Sequence, residues 1–136
     1  VTYHASVVDT DIDGGSVLRL VEDERAGAVI SFSGVVRNHD HGVAVTGIEY
    51  VAHPSAEQVL QEVVAEFAPR VHHVAVQHRI GWLDVGGVAL YVAVAASHRK
   101  EAIRCLDELI DEIKARVPIW KKQFLADGGY EWSQCP

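Results

Sequence analysis

Apolar and polar positions alternate from the start of the chain. Tyr3, Ala5 and Val7 stand against Thr2, His4 and Ser6, the period of a half-buried strand over residues 2–8. Asp13-Gly14-Gly15-Ser16 reads as a turn ending in a helix cap, and Val17, Leu20 and Val21 then share one face of a short helix over 17–23. Residues 27–37 (GAVISFSGVVR) are rich in β-branched side chains and predict a buried strand ending in the polar loop 37–42, with residues 43–52 as its hairpin partner. Ser55 and Gln58 have capping-box spacing ahead of the stripe Ala56, Val59, Leu60, Val63, Val64 and Phe67, so a helix should open after Pro54 and end at Pro69. Strands are expected over 71–83 and 88–96, parted by turn residues 84–87; the second is apolar on both faces and so predicts a central strand. Ser97 is placed to cap a second long helix with the stripe Ala102, Leu106, Leu109, Ile110, Ile113 and Val117. Pro118 disfavours helix at Val117, and the tail should close as a hairpin of 119–125 with 130–132. The order β-α-β-β-α-β-β-α-β-β indicates one α+β domain over residues 1–136, with helices packed on a mostly antiparallel sheet.

Composition narrows the classes. A chain of 136 residues, 49% apolar and 23% charged, is long enough for one core without staples. A net charge of -7 argues against a general nucleic-acid binder, which needs a broad basic face. No apolar run reaches the ~18 residues of a membrane span, and the start lacks the pattern of a signal peptide, so a cytoplasmic protein with no membrane partner is expected. Cys105 and Cys135 have neither metal-ligand spacing nor an evident activating base, which speaks against a disulfide framework, structural zinc or thiol catalysis. There is no methionine, even at position 1, and the chain therefore reads as processed or trimmed at its start.

Charge placement changes the picture more. All four lysines lie between Lys100 and Lys122, and Lys114, Arg116, Lys121 and Lys122 gather around KARVPIWKK. Cations also occupy the start of the second long helix, in Ser97-His98-Arg99-Lys100, where the helix dipole disfavours them. Either these side chains splay into solvent, or the site binds an anion, for which dipole, backbone N–H groups and cations act together. Arg37-Asn38 at a strand end is a third candidate, since arginine grips phosphate or carboxylate bidentately. His39, His41 and the pair His72-His73 lack a convincing third ligand, and no metal site is expected.

GAVISFSGVVRNHDHG at 27–42, HRIGWLDVGG at 78–87, SHRKEA at 97–102 and KARVPIWKK at 114–122 resemble, in order and over most of the chain, the large catalytic subunit of molybdopterin synthase. The resemblance implies an α/β hammerhead with an additional antiparallel β-sheet. It also implies a central homodimer within a heterotetramer, with a small ubiquitin-like sulfur-carrier subunit ending in Gly-Gly at each outer end. The implied reaction converts cyclic pyranopterin monophosphate to molybdopterin, with sulfur arriving as the carrier's thiocarboxylate and no metal or organic cofactor. Matched by motif, Lys121 and Lys114 are the implied catalytic lysines, and Arg37, His98, Arg99 and Phe32 the implied substrate-pocket residues. One departure stands out: the family usually has an acidic residue two positions after the site lysine, where this chain has Gln123. Two other readings of the same cations remain. One is a non-catalytic anion-binding or regulatory module; the other is a metal-free phosphate-ester hydrolase using Arg37 and Asn38.

Overall fold

The computed structural model describes residues 2–134. Its most apolar strand, β7 (Val88–Ala96), sits inside a four-stranded sheet of order β1-β5-β7-β2, as its two apolar faces require. β1 (Tyr3–Val8) runs parallel to β5 (His73–Arg79), while β5 and β2 (Ala28–Val35) each run antiparallel to β7. A second, antiparallel sheet contains β3 (His39–Asp40), β4 (Val43–Ala52), β8 (Ile119–Leu125) and β9 (Tyr130–Gln134) in that order, with β6 (Gly81–Asp84) also paired to β4.

α2 (Ala56–Phe67) and α3 (Arg99–Arg116) pack their apolar stripes on the first sheet, α2 against β1 and β5 and α3 against β2 and β7, and Leu60, Val63, Leu109 and Ile113 join Val74, Val92, Ile48 and Ile119 in one core. A smaller core lies across the first sheet, where Val17 and Val21, in and just beyond α1 (Gly14–Arg19), cover Ala75, Tyr91, Ala93 and Ala95. The exposed edge strand β1 is occupied by α2 side chains: Val7 N–H donates to Glu57, and Gln61 donates to the Ala5 carbonyl. Among the described residues no helix is long and apolar enough to cross a membrane.

Several expectations about local structure need correction. β2 and β4 are not hairpin partners: β2 pairs with β7, and Val36 N–H continues to the Gly87 carbonyl, while β4 belongs to the other sheet. The hairpin in the loop is instead the short β3–β4 ribbon, closed by His41 and Gly42 at φ 50° and 80°, the positive values a tight two-residue turn demands. The expected strand 71–83 is broken at Gly81, whose φ of 89° redirects the chain from one sheet to the other. Asp13, not Ser16, caps α1, accepting from Gly15 N–H. Ser55 makes no side-chain cap; its hydroxyl lies 2.8 Å from His53 Nδ1. His98, not Ser97, is the N-cap of α3, and Pro69 lies within a single 3₁₀ turn (Ala68–Arg70) rather than at the helix end.

The outer face of the second sheet is unusual. Cross-strand partners share a face, so Glu49 of β4 groups Trp82 and Lys122, and Lys122 groups Trp132; Val51 faces Trp120, and Phe124 faces Tyr130. The Lys122 ammonium lies 4.1 Å from the centre of the Tyr130 ring, and Trp82 packs edge-on to Phe124 at 5.2 Å. Trp82, Trp120, Tyr130 and Trp132 all remain exposed.

Candidate active site

Strand periodicity separates the adjacent lysines. Lys122 points to the aromatic face, whereas Lys121, opposite Tyr50, and Gln123, opposite Ile48, point inward. There they meet the end of β2 and the polar loop. Val35, Val36, Arg37, His39 and Asp40 join Ile48, Tyr50, Lys121 and Gln123 in lining a cleft of about 70 Å³. A groove of about 430 Å³ beside β1 is larger, but of its lining Tyr3, His4, Ala5, Ser6, Leu20 and Gln61 only His4 can carry a positive charge. The chemistry is in the smaller cleft.

A polar contact ties its two walls together. Gln123, only 5% exposed, donates from Nε2 to Asp40 Oδ2 at 2.9 Å. The other Asp40 oxygen lies 3.5 Å from the Arg37 guanidinium and 3.5 Å from His41. The Asp40 carboxyl is held below the usual carboxylate range, first by the Gln123 hydrogen bond and then by the charges of His41, Lys121 and Arg37, against the opposing effect of burial. It is therefore an anion at neutral pH. Arg37 and Lys121 face a fixed negative charge and can also offer their remaining hydrogen-bond capacity to an incoming anion.

Behind this wall sits a group the sequence did not single out. His78 is fully buried and packs edge-on against Tyr50 at 5.5 Å. Its Nδ1 donates to the Arg79 carbonyl at 2.9 Å, while Nε2 is buried without a hydrogen-bond partner. Burial lowers its pKa from 6.5 to about 4, so the imidazole is neutral at physiological pH.

The structure brings Arg37 and Lys121 together, but not the other expected residues. Lys114 is exposed on the last turn of α3 and does not line the cleft. Phe32 is half-buried on the face of β2 that packs into the main core, leaning over Gly34, and is likewise outside the lining. His98 and Arg99 are at the start of α3, beside the beginning of β2, whereas Arg37 follows the end of β2. An eight-residue strand spans ~26 Å, so the two cation groups lie at opposite ends of β2. At the α3 end, Glu101 accepts from His98 N–H at 3.0 Å, and Ser97 Oγ lies 2.8 Å from His72 Nε2. Arg99 and Lys100 are exposed, with no carboxylate at ion-pair distance among the described residues. Cys105 is buried in the core, where burial raises its thiol pKa; Cys135 lies outside the described residues. No group of His, Cys, Asp or Glu among the described residues has the arrangement of a metal site.

Asp40 and Gln123 are the site residues that sequence reasoning missed. Gln123 was visible as a departure from the expected acidic residue, but nothing in the linear sequence joined it to Asp40, eighty-three positions away.

Two sheets, the first carrying the two long helices, and a cleft of arginine and lysine around a fixed carboxylate define an α+β protein built to handle an anion. The sequence profile of the family described as MoaE protein matches residues 7–116. The molybdopterin synthase catalytic subunit of Nostoc sp. is 39% identical over 83% of this chain and 71% of its own length, and that of Bacillus subtilis is 38% identical over 90% and 80%. A solved molybdopterin synthase from Staphylococcus aureus superposes with a TM-score of 0.88 at 34% identity, covering 95% of this chain and 96% of that one. A Helicobacter pylori structure described as a complex of subunits 1 and 2 of molybdopterin-converting factor shares the fold, with a TM-score of 0.73 at 17% identity, over 98% of this chain and 91% of that one. The chain belongs to the MoaE family, whose relatives are catalytic subunits of molybdopterin synthase, and so to the enzymes of molybdenum cofactor biosynthesis. The α/β hammerhead with its additional antiparallel sheet is the fold expected from the resemblance.

Proposed function

We propose that this protein converts cyclic pyranopterin monophosphate to molybdopterin in the cytoplasm, taking sulfur from the thiocarboxylated Gly-Gly tail of a small ubiquitin-like carrier subunit. The observation that carries this reading is the cleft itself. Arg37 and Lys121 converge there from separate segments in a protein of net charge -7, and both substrate phosphate and thiocarboxylate are anions. Lys121 is the residue placed to stabilise the anion that develops during sulfur addition and to donate a proton; at neutral pH a lysine does either more readily than it acts as a base. Lys114, at the end of α3, is assigned to the carrier's approach to the cleft.

The separation of the cations leads to a second part of the proposal. A cleft of about 70 Å³ is small beside the ~300–1,000 Å³ typical of ligand sites, and His98 and Arg99 of the same chain are too far away to complete it. Two copies related by a twofold axis would each present the α3 start of one to the cleft of the other. His98 and Arg99 then hold the substrate phosphate in trans, Phe32 packs beside the pterin, and the working assembly is a homodimer with one carrier per cleft.

Single-turnover formation of molybdopterin from the cyclic monophosphate, with purified protein and thiocarboxylated carrier, tests the chemistry. Conversion by wild type is expected; an anion sensor would bind phosphate without turnover, and a hydrolase would cleave phosphate esters without carrier. Mixing Lys121→Ala with a His98→Ala/Arg99→Ala protein, assayed far below the raised KM of the latter so that neither turns over appreciably alone, tests the assembly. Recovery of up to about a quarter of wild-type activity is expected if each site draws on two copies, and no recovery despite subunit exchange rejects the shared site.

A further inference from the structure

Among the described residues Asp40 is the one carboxylate lining the cleft, and its position works against simple anion capture. A site selected only to hold phosphate would gain from losing it, because a like charge beside the ligand repels it. Yet the carboxylate is held in place. Gln123 is buried to 5% exposure, and a buried amide needs a partner; Asp40 Oδ2 is that partner at 2.9 Å. The contact joins the short β3–β4 ribbon, which carries the loop of Arg37, to β8, which carries Lys121.

Building on the synthase reading, we propose that Asp40 and Gln123 form a charge-positioning pair: the carboxylate offsets the repulsion between Arg37 and Lys121 and fixes both for the reacting groups, and Gln123 fixes the carboxylate. The acidic residue that the resemblance leads one to expect at position 123 is therefore supplied from the opposite side of the same hydrogen bond. Asp40 acts through its neighbours and is a positioning residue. The charged and titratable groups around it among the described residues are Arg37, His39 and His41 from its own segment, Tyr50 from β4 and Lys121 from β8.

The test exchanges the two partners. Asp40→Asn is expected to lower kcat at least about tenfold, the scale of a misplaced catalytic group, while KM for the phosphate-bearing substrate stays level or falls because an anion has left the cleft. Gln123→Glu alone sets two carboxylates face to face and also lowers kcat. The double variant Asp40→Asn/Gln123→Glu restores the amide–carboxylate pair with its members swapped and recovers most of kcat. Unchanged kcat in Asp40→Asn, or a double variant no better than the single ones, overturns the proposal. A readout without turnover separates it from the synthase reading. In carboxyl NMR titrations, Gln123→Leu is expected to move Asp40 up toward the ordinary carboxylate range and to speed hydrogen exchange in the β3–β4 ribbon. If neither changes, the pair does no positioning, whether or not wild type makes molybdopterin.

Discussion

The two cation groups of this molecule are built in opposite ways. At the start of α3, His98, Arg99 and Lys100 are consecutive and exposed, and neither Arg99 nor Lys100 has a carboxylate at ion-pair distance among the described residues. In the cleft, Arg37 and Lys121 come from different segments and line the same space as a carboxylate that a buried amide holds. The first group resembles a surface patch, cheap to form and loosely oriented. The second is held by tertiary structure before any ligand arrives, the condition under which electrostatic stabilisation acts on a reaction rather than only on binding. The contrast predicts that substitutions at the cleft change rate and that those at the α3 end change affinity.

The largest effect should come from Lys121. Lys121→Ala is expected to lose at least about a hundredfold in turnover while keeping its fold and carrier binding, as read by single-turnover assay and circular dichroism. Near-normal turnover would remove the distinction between the two ends. Acid should next expose the cleft's supporting wall. The folded pKa of His78, about 4, lies below its ordinary 6.5, so the unfolded chain takes up the proton first and stability falls as pH drops from about 6.5 to about 4. The full penalty is about 3 kcal/mol. It precedes the loss of the stabilised carboxylates, whose lowered pKa values place their titration at more acid pH. Denaturation midpoints between pH 7 and 5 should fall in wild type and stay flatter in His78→Gln.

A smaller effect is expected at the opposite end. A methyl group at Gly27 would lie 2.5 Å from the Ser97 carbonyl oxygen, just ahead of His98, so Gly27→Ala must shift backbone at the start of α3. A loss of about 1–3 kcal/mol in urea denaturation is expected, with KM affected more than kcat. The least disruptive change is Arg99→Ala, which removes one exposed side chain. It should raise KM for the phosphate-bearing substrate about tenfold, the worth of one charge-assisted hydrogen bond, with kcat largely kept. A fall in kcat without a change in KM would place Arg99 in the chemistry and not in the grip.

The same contrast explains what could be read from the chain beforehand. Elements with a strong local period were legible: the stripes of α2 and α3, the wholly apolar β7 and the turn at 126–129 all stand where their patterns place them. The α3 cation group was legible because its members are neighbours. Pairing between strands was not, because β2 and β4 are both suited to a sheet and nothing in either says which partner it will take; the burial of β7 decided it. The break at Gly81 was hidden inside an apolar run for the same reason. Lys121 could be singled out by charge and motif, but its separation from Lys122 needed the strand's register, and the bond of Asp40 to Gln123 needed the whole fold.

The outer face of the second sheet has a practical consequence. All three tryptophans of the chain, Trp82, Trp120 and Trp132, lie on it, each between 38% and 55% exposed. The intrinsic fluorescence of the protein is therefore a built-in optical label for that one surface. A molecule settling there would blue-shift the emission and shield it from quenchers such as acrylamide. An anion captured at the start of α3, at the far end of a different sheet, would leave the spectrum almost unchanged. One unlabelled sample can thus report which side of the protein a ligand has reached.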